Sequence, residues 1–285
     1  MYNFTNTINQ ALTHSKLERL APSIFSAQAK DTLTNRYNFI PTIQVVKEME
    51  HQGWLPVKAM ESRTRDEMNQ GYQKHMVRFR NFNEQITDKL AVGDTFVELV
   101  LTNSHNGLSS FVFNCGLYRL ACNNGMVISE NSFNSAHIRH NSYNAKEVID
   151  ICSETVRKAP QITGRIEDMK AIELTPQEQF IFANAAKPLR FNKPEEIDTE
   201  KILLPQRMSD KGNDLWTVYN RLQENLIKGN VRYDRRDANG RYKGRGHTRE
   251  VKAINANLKL NQALWTLTEE MAKLKTDTTL KTLAS

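Results

Sequence analysis

Apolar residues recur along this chain with two different periods. Over residues 72–82, 95–103 and 110–121 they alternate or run almost unbroken, which predicts strands. In the first of these, Val77 and Phe79 fall on one face, while Lys74, Met76, Arg78 and Arg80 fall on the other, predicted as a basic face open to solvent. Residues 55–61 and 126–129 read as two further strands. Ser104-His105-Asn106-Gly107 and Asn124-Gly125 are turn signals, because Asn-Gly readily supplies positive φ.

Helical spacing takes over elsewhere. Val45, Val46 and Met49 mark one helix face, with Gly53 placed where a helix stops. Asn144 caps a segment whose apolar positions are Ala145, Val148, Ile149, Cys152 and Val156. Thr175-Pro176-Gln177-Glu178 is a capping box with proline at the first helical position, so a helix is predicted from Pro176 to about Ala186. Leu215, Val218, Tyr219, Leu222 and Leu226 form the face of another helix, which ends at Lys228-Gly229. Val251, Ile254, Leu258, Leu264, Leu267, Met271 and Leu274 form that of a long last helix. Trp54, Trp216 and Trp265 adjoin these apolar stretches and are assigned to the core, with base stacking as the alternative, above all for Trp54.

The pattern gives an α+β fold, a mainly antiparallel sheet packed on helices and followed by a helical hairpin. Residues 1–36 read as a loosely held arm and 37–187 as the α+β domain. Residues 188–211, punctuated by Pro188, Pro194 and Pro205, read as a linker. The hairpin covers 212–275 and a frayed tail 276–285.

Charge changes this picture at one place. The net charge is +7, and the stretch 228–252 supplies six of those seven units from nine basic and three acidic residues. Its basic members are Lys228, Arg232, Arg235, Arg236, Arg241, Lys243, Arg245, Arg249 and Lys252. Lysine and arginine at this density neutralise phosphates and release counterions without reading bases. Tyr233 and Tyr242 lie among them, with rings that can stack on exposed bases. Gly229, Gly240, Gly244 and Gly246 make the stretch a pliable loop, expected to order on binding. The alternative is a solvated loop with no partner. Lys74, Arg78 and Arg80 form a second candidate phosphate-tracking surface, extended by Lys58.

Other chemistry finds little support. Cys115, Cys122 and Cys152 are an odd set without a framework spacing, which fits a reducing cytosol. His137 and His140 with Cys115 and Cys122 do not match a usual zinc spacing, so no metal or cofactor is expected. The chain has no phosphate-loop, HExxH, GxSxG or GxGxxG motif. Asp94 and Glu98 would suit a metal-dependent nuclease only with a nearby lysine, and a strand-edge role is preferred. No apolar run approaches the roughly 20 residues that span a bilayer.

Four pieces of sequence carry a resemblance. They are Gly53-Trp54-Leu55-Pro56-Val57 after a helix; Ser104 to Gly107 followed by the stretch 117–126; Ile138-Arg139-His140; and Leu215-Trp216, Glu224 to Gly229 and Asn261-Gln262-Ala263-Leu264-Trp265. Together they resemble a family of phage and plasmid proteins labelled as a domain of unknown function. That resemblance implies a mobile-element origin and a bacterial host cytoplasm, and it brings no catalytic residues. The order of elements over residues 42–158 is also similar to the core of single-strand annealing recombinases, except for an extra strand near 126–139. This second likeness implies a homo-oligomer holding single-stranded DNA in a basic groove. The expectation is therefore a sequence-tolerant nucleic-acid-binding protein, with single-stranded DNA favoured. The alternative is a counter-defence protein whose basic loop meets an acidic surface on a host nuclease or defence complex.

Overall fold

The computed structural model describes residues 11–34, 36–82, 91–92, 95–119, 125–127, 136–138, 150, 153–154, 157, 160–237 and 239–284. The chain divides into two compact units, residues 1–163 and 164–285, a division that falls ahead of the proline-rich stretch 188–211. The helix expected after Asn144 and the Asn124-Gly125 turn lie largely outside the described residues, as do Cys122 and His140.

The first unit is built on an antiparallel sheet. Its strands are β1 (Trp54–Glu61), β2 (His75–Asn81), β3 (Ala91–Val92), β4 (Thr95–Asn103), β5 (Phe111–Arg119), β6 (Gly125–Val127) and β7 (Ala136–Ile138). They run in the order β1-β2-β4-β5-β6, with β3 beside β4 and β7 beside β5. Helix α1 (His14–Leu20) and helix α2 (Thr42–His51) precede the sheet. Val45, Val46 and Met49 of α2 are buried, and Gly53 takes φ +81° to turn the chain into Trp54, itself buried.

Two expectations are corrected in this unit. The segment read as a loose arm is packed from residue 12 onward. Leu17, Ala21 and Ile24 are fully buried, and the Leu12 N–H donates to the Pro56 carbonyl at 2.6 Å. Strand β2 has no solvent face: every residue from His75 to Asn81 is buried. Arg78 and Arg80 are 4% and 2% exposed, and both guanidiniums reach Glu98 on β4 at 2.6 Å. The alternation rule assumes one wet face, but β2 is a central strand between β1 and β4, covered on both sides. Arg78 and Arg80 are thus internal counter-ions to a buried carboxylate rather than a phosphate track. Lys74, just before β2, is half-buried, and burial lowers its pKa.

The second unit is mainly helical: most of α3 (Pro160–Lys170), then α4 (Pro176–Ala186), α5 (Thr199–Leu203), α6 (Leu215–Lys228) and α7 (Ile254–Ala284). The capping box at α4 forms as predicted, with Thr175 and Glu178 each holding the other's backbone N–H. Helix α6 is buried at every position from Leu215 to Ile227 except Thr217. Its polar residues are therefore paired inside, as burial demands. Asn225 donates to the Ile202 and Leu204 carbonyls at 2.9 Å, Gln223 donates to Asn261 at 3.1 Å, and Glu224 binds Arg207 and Lys228. The Tyr219 ring stacks on Trp216 at 5.5 Å and meets Trp265 edge-on at 5.8 Å, so all three rings share one cluster.

The stretch 188–211 is not an open linker. It forms short helical turns and α5, and it supplies the carbonyls and Arg207 that satisfy α6. Helix α7 continues through Ala284, past the expected fray at 276. No helix among the described residues is long and apolar enough to cross a membrane.

Candidate nucleic-acid interface

The basic stretch folds as a β-ribbon between α6 and α7. Strands β8 (Arg232–Arg236) and β9 (Tyr242–His247) pair antiparallel, a correction to the pliable-loop expectation. The local cause is turn chemistry. Asp237 Oδ1 accepts from the Asn239 and Arg241 N–H groups, and the Gly240 N–H donates to the Asp237 carbonyl at 2.9 Å. Gly240 takes φ +77°, as an Asn-Gly turn requires. The register then slips between Asp234 and Arg236, where β9 carries one extra residue, and Gly244 at φ +100° accommodates the bulge.

The root of the ribbon is tightly closed. Gly229 and Asn230 both adopt positive φ, +73° and +61°. The Asn230 N–H donates to the Thr248 carbonyl at 2.8 Å, and the Thr248 N–H to the Val231 carbonyl at 2.9 Å. Val251 N–H returns to the Ile227 carbonyl at 2.8 Å, tying the ribbon's exit to α6. Midway along, the Tyr233 ring lies across Gly246, where a side chain on Gly246 would stand within 2.8 Å of the ring. An aromatic covering a glycine opposite it is a known way to stabilise a ribbon.

Charge on this scaffold is arranged in two groups. Lys228, Lys243 and Lys252 each meet a carboxylate, at 2.8 Å (Glu224), 3.6 Å (Asp237) and 3.7 Å (Glu250). Arg232, Arg235, Arg236, Arg241, Arg245 and Arg249 are exposed and make no ion pair within 4 Å among the described residues. Asp234 stands opposite Arg245 in the ladder without closing to that distance. Tyr242 is 57% exposed and free to meet a ligand face, whereas Tyr233 is half-buried by its contact with Gly246. The ribbon and its two roots, residues 228–252, thus gather eleven of the predicted residues, and Lys74, Arg78 and Arg80 belong to the other unit.

A groove of about 550 Å³ adjoins the ribbon root. Sequence reasoning missed its far wall, contributed by Arg190, Phe191, Asn192, Lys193, Glu196 and Ile197. The ribbon side is Tyr233, His247, Thr248 and Arg249. Arg190 Nη2 donates to the Arg249 carbonyl at 3.1 Å and its guanidinium sits 5.5 Å from the Phe191 ring centre. The available signal was Arg190-Phe191-Asn192-Lys193, a basic and aromatic cluster inside the supposed linker. Glu98, the carboxylate considered for a nuclease, is held between two arginines and is 1% exposed.

These features define an α+β chain whose helical unit raises an arginine-rich two-stranded ribbon beside a basic, aromatic groove. The chain belongs to the family described as a domain of unknown function (DUF932), whose model matches residues 30–265 and so takes in the sheet, the groove and the ribbon. It is 37% identical over 264 residues to the UPF0380 protein YafZ of Escherichia coli (strain K12), covering 92% of both chains. The UPF0380 protein YfjQ of the same organism matches with the same identity and coverage. No solved structure matches the chain.

Proposed function

We propose that the protein binds nucleic acid in a sequence-tolerant manner through the ribbon, with single-stranded DNA its preferred ligand. One observation carries this reading: six exposed arginines on the short ribbon and its root have no carboxylate partner among the described residues. Keeping like charges together without local neutralisation costs self-repulsion, and a polyanion relieves it. Guanidinium forks match phosphate oxygens, and the exposed Tyr242 ring adds a stacking face that any base accepts. No carboxylate cluster suited to metal binding occurs among the described residues, and the reading invokes no catalysis. The proposal extends to a phage or plasmid origin, action in the cytoplasm of a bacterial host and assembly as a homo-oligomer.

Fluorescence anisotropy of a labelled oligonucleotide across a salt series tests it. Affinity is expected to fall steeply with salt, by about 0.7 log unit per log unit of salt for each phosphate neutralised on a single strand. Replacing Arg235, Arg236, Arg241 and Arg245 together by alanine should flatten that slope by about two to three units. Absence of binding at low salt, or a slope unchanged in the fourfold variant, would overturn the reading.

A further inference from the structure

The groove at the ribbon root differs in chemistry from the ribbon itself. A plain phosphate track needs only cations, yet this groove also offers two aromatic rings and a carboxylate. Glu196 lies 3.2 Å from Lys193 and neutralises it, which leaves Arg190 and Arg249 as the net charges. Arg190 is fixed rather than free. Its Nη2 donates to the Arg249 carbonyl, its plane lies near the Phe191 ring, and its Nε is buried with no hydrogen-bond partner among the described residues. The guanidinium is thus held in place with Nη1 making no hydrogen bond among the described residues, and an anionic oxygen is the strongest acceptor for such a donor. Phe191 and Tyr233 present flat apolar surface to the same space. Glu196, in turn, can accept from an amino or hydroxyl donor on a ligand and repels a bare anion.

We propose that this groove is a subsite for a single nucleoside phosphate. The Arg190 fork takes the phosphate, Phe191 and Tyr233 flank the base, and Glu196 accepts from an exocyclic amine or a sugar hydroxyl. Its volume, about 550 Å³, lies within the range of small-molecule sites. The inference deepens the nucleic-acid reading and rests on it: the ribbon arginines guide the strand, and the groove holds one nucleotide unit of it at the ribbon base.

Isothermal titration of the full chain with 2′-deoxyadenosine 5′-monophosphate tests the subsite, with inorganic phosphate and deoxyadenosine as comparators. The mononucleotide should bind saturably, and each comparator at least about tenfold more weakly. Arg190→Ala should weaken mononucleotide binding by about tenfold or more, and Arg190→Lys should recover only part of that, because a point charge cannot replace the fork. Phe191→Ala gives a second reading if Arg190→Ala fails to fold, and the same loss is expected. Replacing Arg235 and Arg241 by alanine should leave the mononucleotide affinity within about twofold while weakening oligonucleotide binding. Equal binding of inorganic phosphate, no saturable mononucleotide binding, or indifference to the groove substitutions overturns the subsite. A mononucleotide that fails to bind while the oligonucleotide binds removes the subsite alone. The reverse result removes the strand-binding function and leaves the subsite.

Discussion

Gly229 is the position on which the ribbon's exit from α6 depends. A Cβ there would stand 2.7 Å from both the Arg249 carbonyl carbon and the Thr248 carbonyl oxygen, and the backbone already sits at φ +73°. Gly240 shares the positive φ but has nothing within 4 Å. The two substitutions separate conformational cost from collision. Gly240→Ala should cost about 1–2 kcal/mol, the price of a left-handed alanine. Gly229→Ala should cost about 3 kcal/mol or more, because a backbone strand must move as well. Urea unfolding of both variants measures the difference, and equal losses would mean the close approach at the root is not maintained. At this scale the sequence is readable where the code is local. The Thr175-Glu178 box and the Gly53 stop involve residues within one turn of each other, and both form. The burial of Arg78 and Arg80 was not readable, because their partner Glu98 lies 18 to 20 positions away on another strand.

That partnership becomes an element-scale matter, since it joins β2 to β4 through the interior of the sheet. Two guanidiniums share one carboxylate, and all three side chains are at most 5% exposed. Glu98→Gln removes the anion while keeping the shape. It should destabilise the first unit by about 3–5 kcal/mol, the usual result of stranding a buried charge. Thermal unfolding followed by circular dichroism checks this, and a loss below about 1 kcal/mol, the scale of a surface pair, would place the triad in contact with solvent. The ribbon teaches a related lesson. Its strands, Arg-Tyr-Asp-Arg-Arg and Tyr-Lys-Gly-Arg-Gly-His, contain no β-branched residue and one tyrosine each, too few for propensity or alternation to mark a strand. The Asn239-Gly240 pair was the one usable signal, and it sat inside a stretch whose charge drew attention first. Helix α6 misleads in the opposite sense. Its leucine face was legible, but the burial of Asn220, Arg221, Gln223, Glu224 and Asn225 depends on neighbours that periodicity within one helix does not describe.

Across the whole molecule, positive charge and buried polarity are segregated: the stretch 228–252 carries six of the seven net charges, while the first unit buries His75, Arg78, Arg80, Glu98 and His105. The most consequential of these is His75, which is fully buried. Its Nδ1 lies 2.8 Å from Ser23 Oγ and 3.0 Å from the Gln73 carbonyl, and its Nε2 lies 2.8 Å from Thr42 Oγ1. The Gln73 carbonyl can only accept, so Nδ1 carries the ring proton, and in the neutral ring Nε2 accepts from the Thr42 hydroxyl. Burial pushes the His75 pKa down to about 3, helped by the neighbouring His105 and Lys74 and opposed by the Gln73 carbonyl. A histidine depressed in the folded state is protonated first in the unfolded chain, whose value is about 6.5. Its contribution is therefore complete above pH 6.5 and is lost as the pH falls from there toward 3. Between pH 7 and pH 4 the loss should be of order 3 kcal/mol, at 1.36 kcal/mol per unit. Carboxylates elsewhere also respond to acid, so the informative quantity is the slope. His75→Gln lowers stability at pH 7 by disturbing the Ser23 and Thr42 contacts, but it removes the titration. The variant's melting temperature should consequently fall less steeply between pH 7 and pH 4 than that of the parent. Parallel slopes in the two proteins would show that the imidazole takes up its proton without unfolding, and so that water reaches the centre of the first unit.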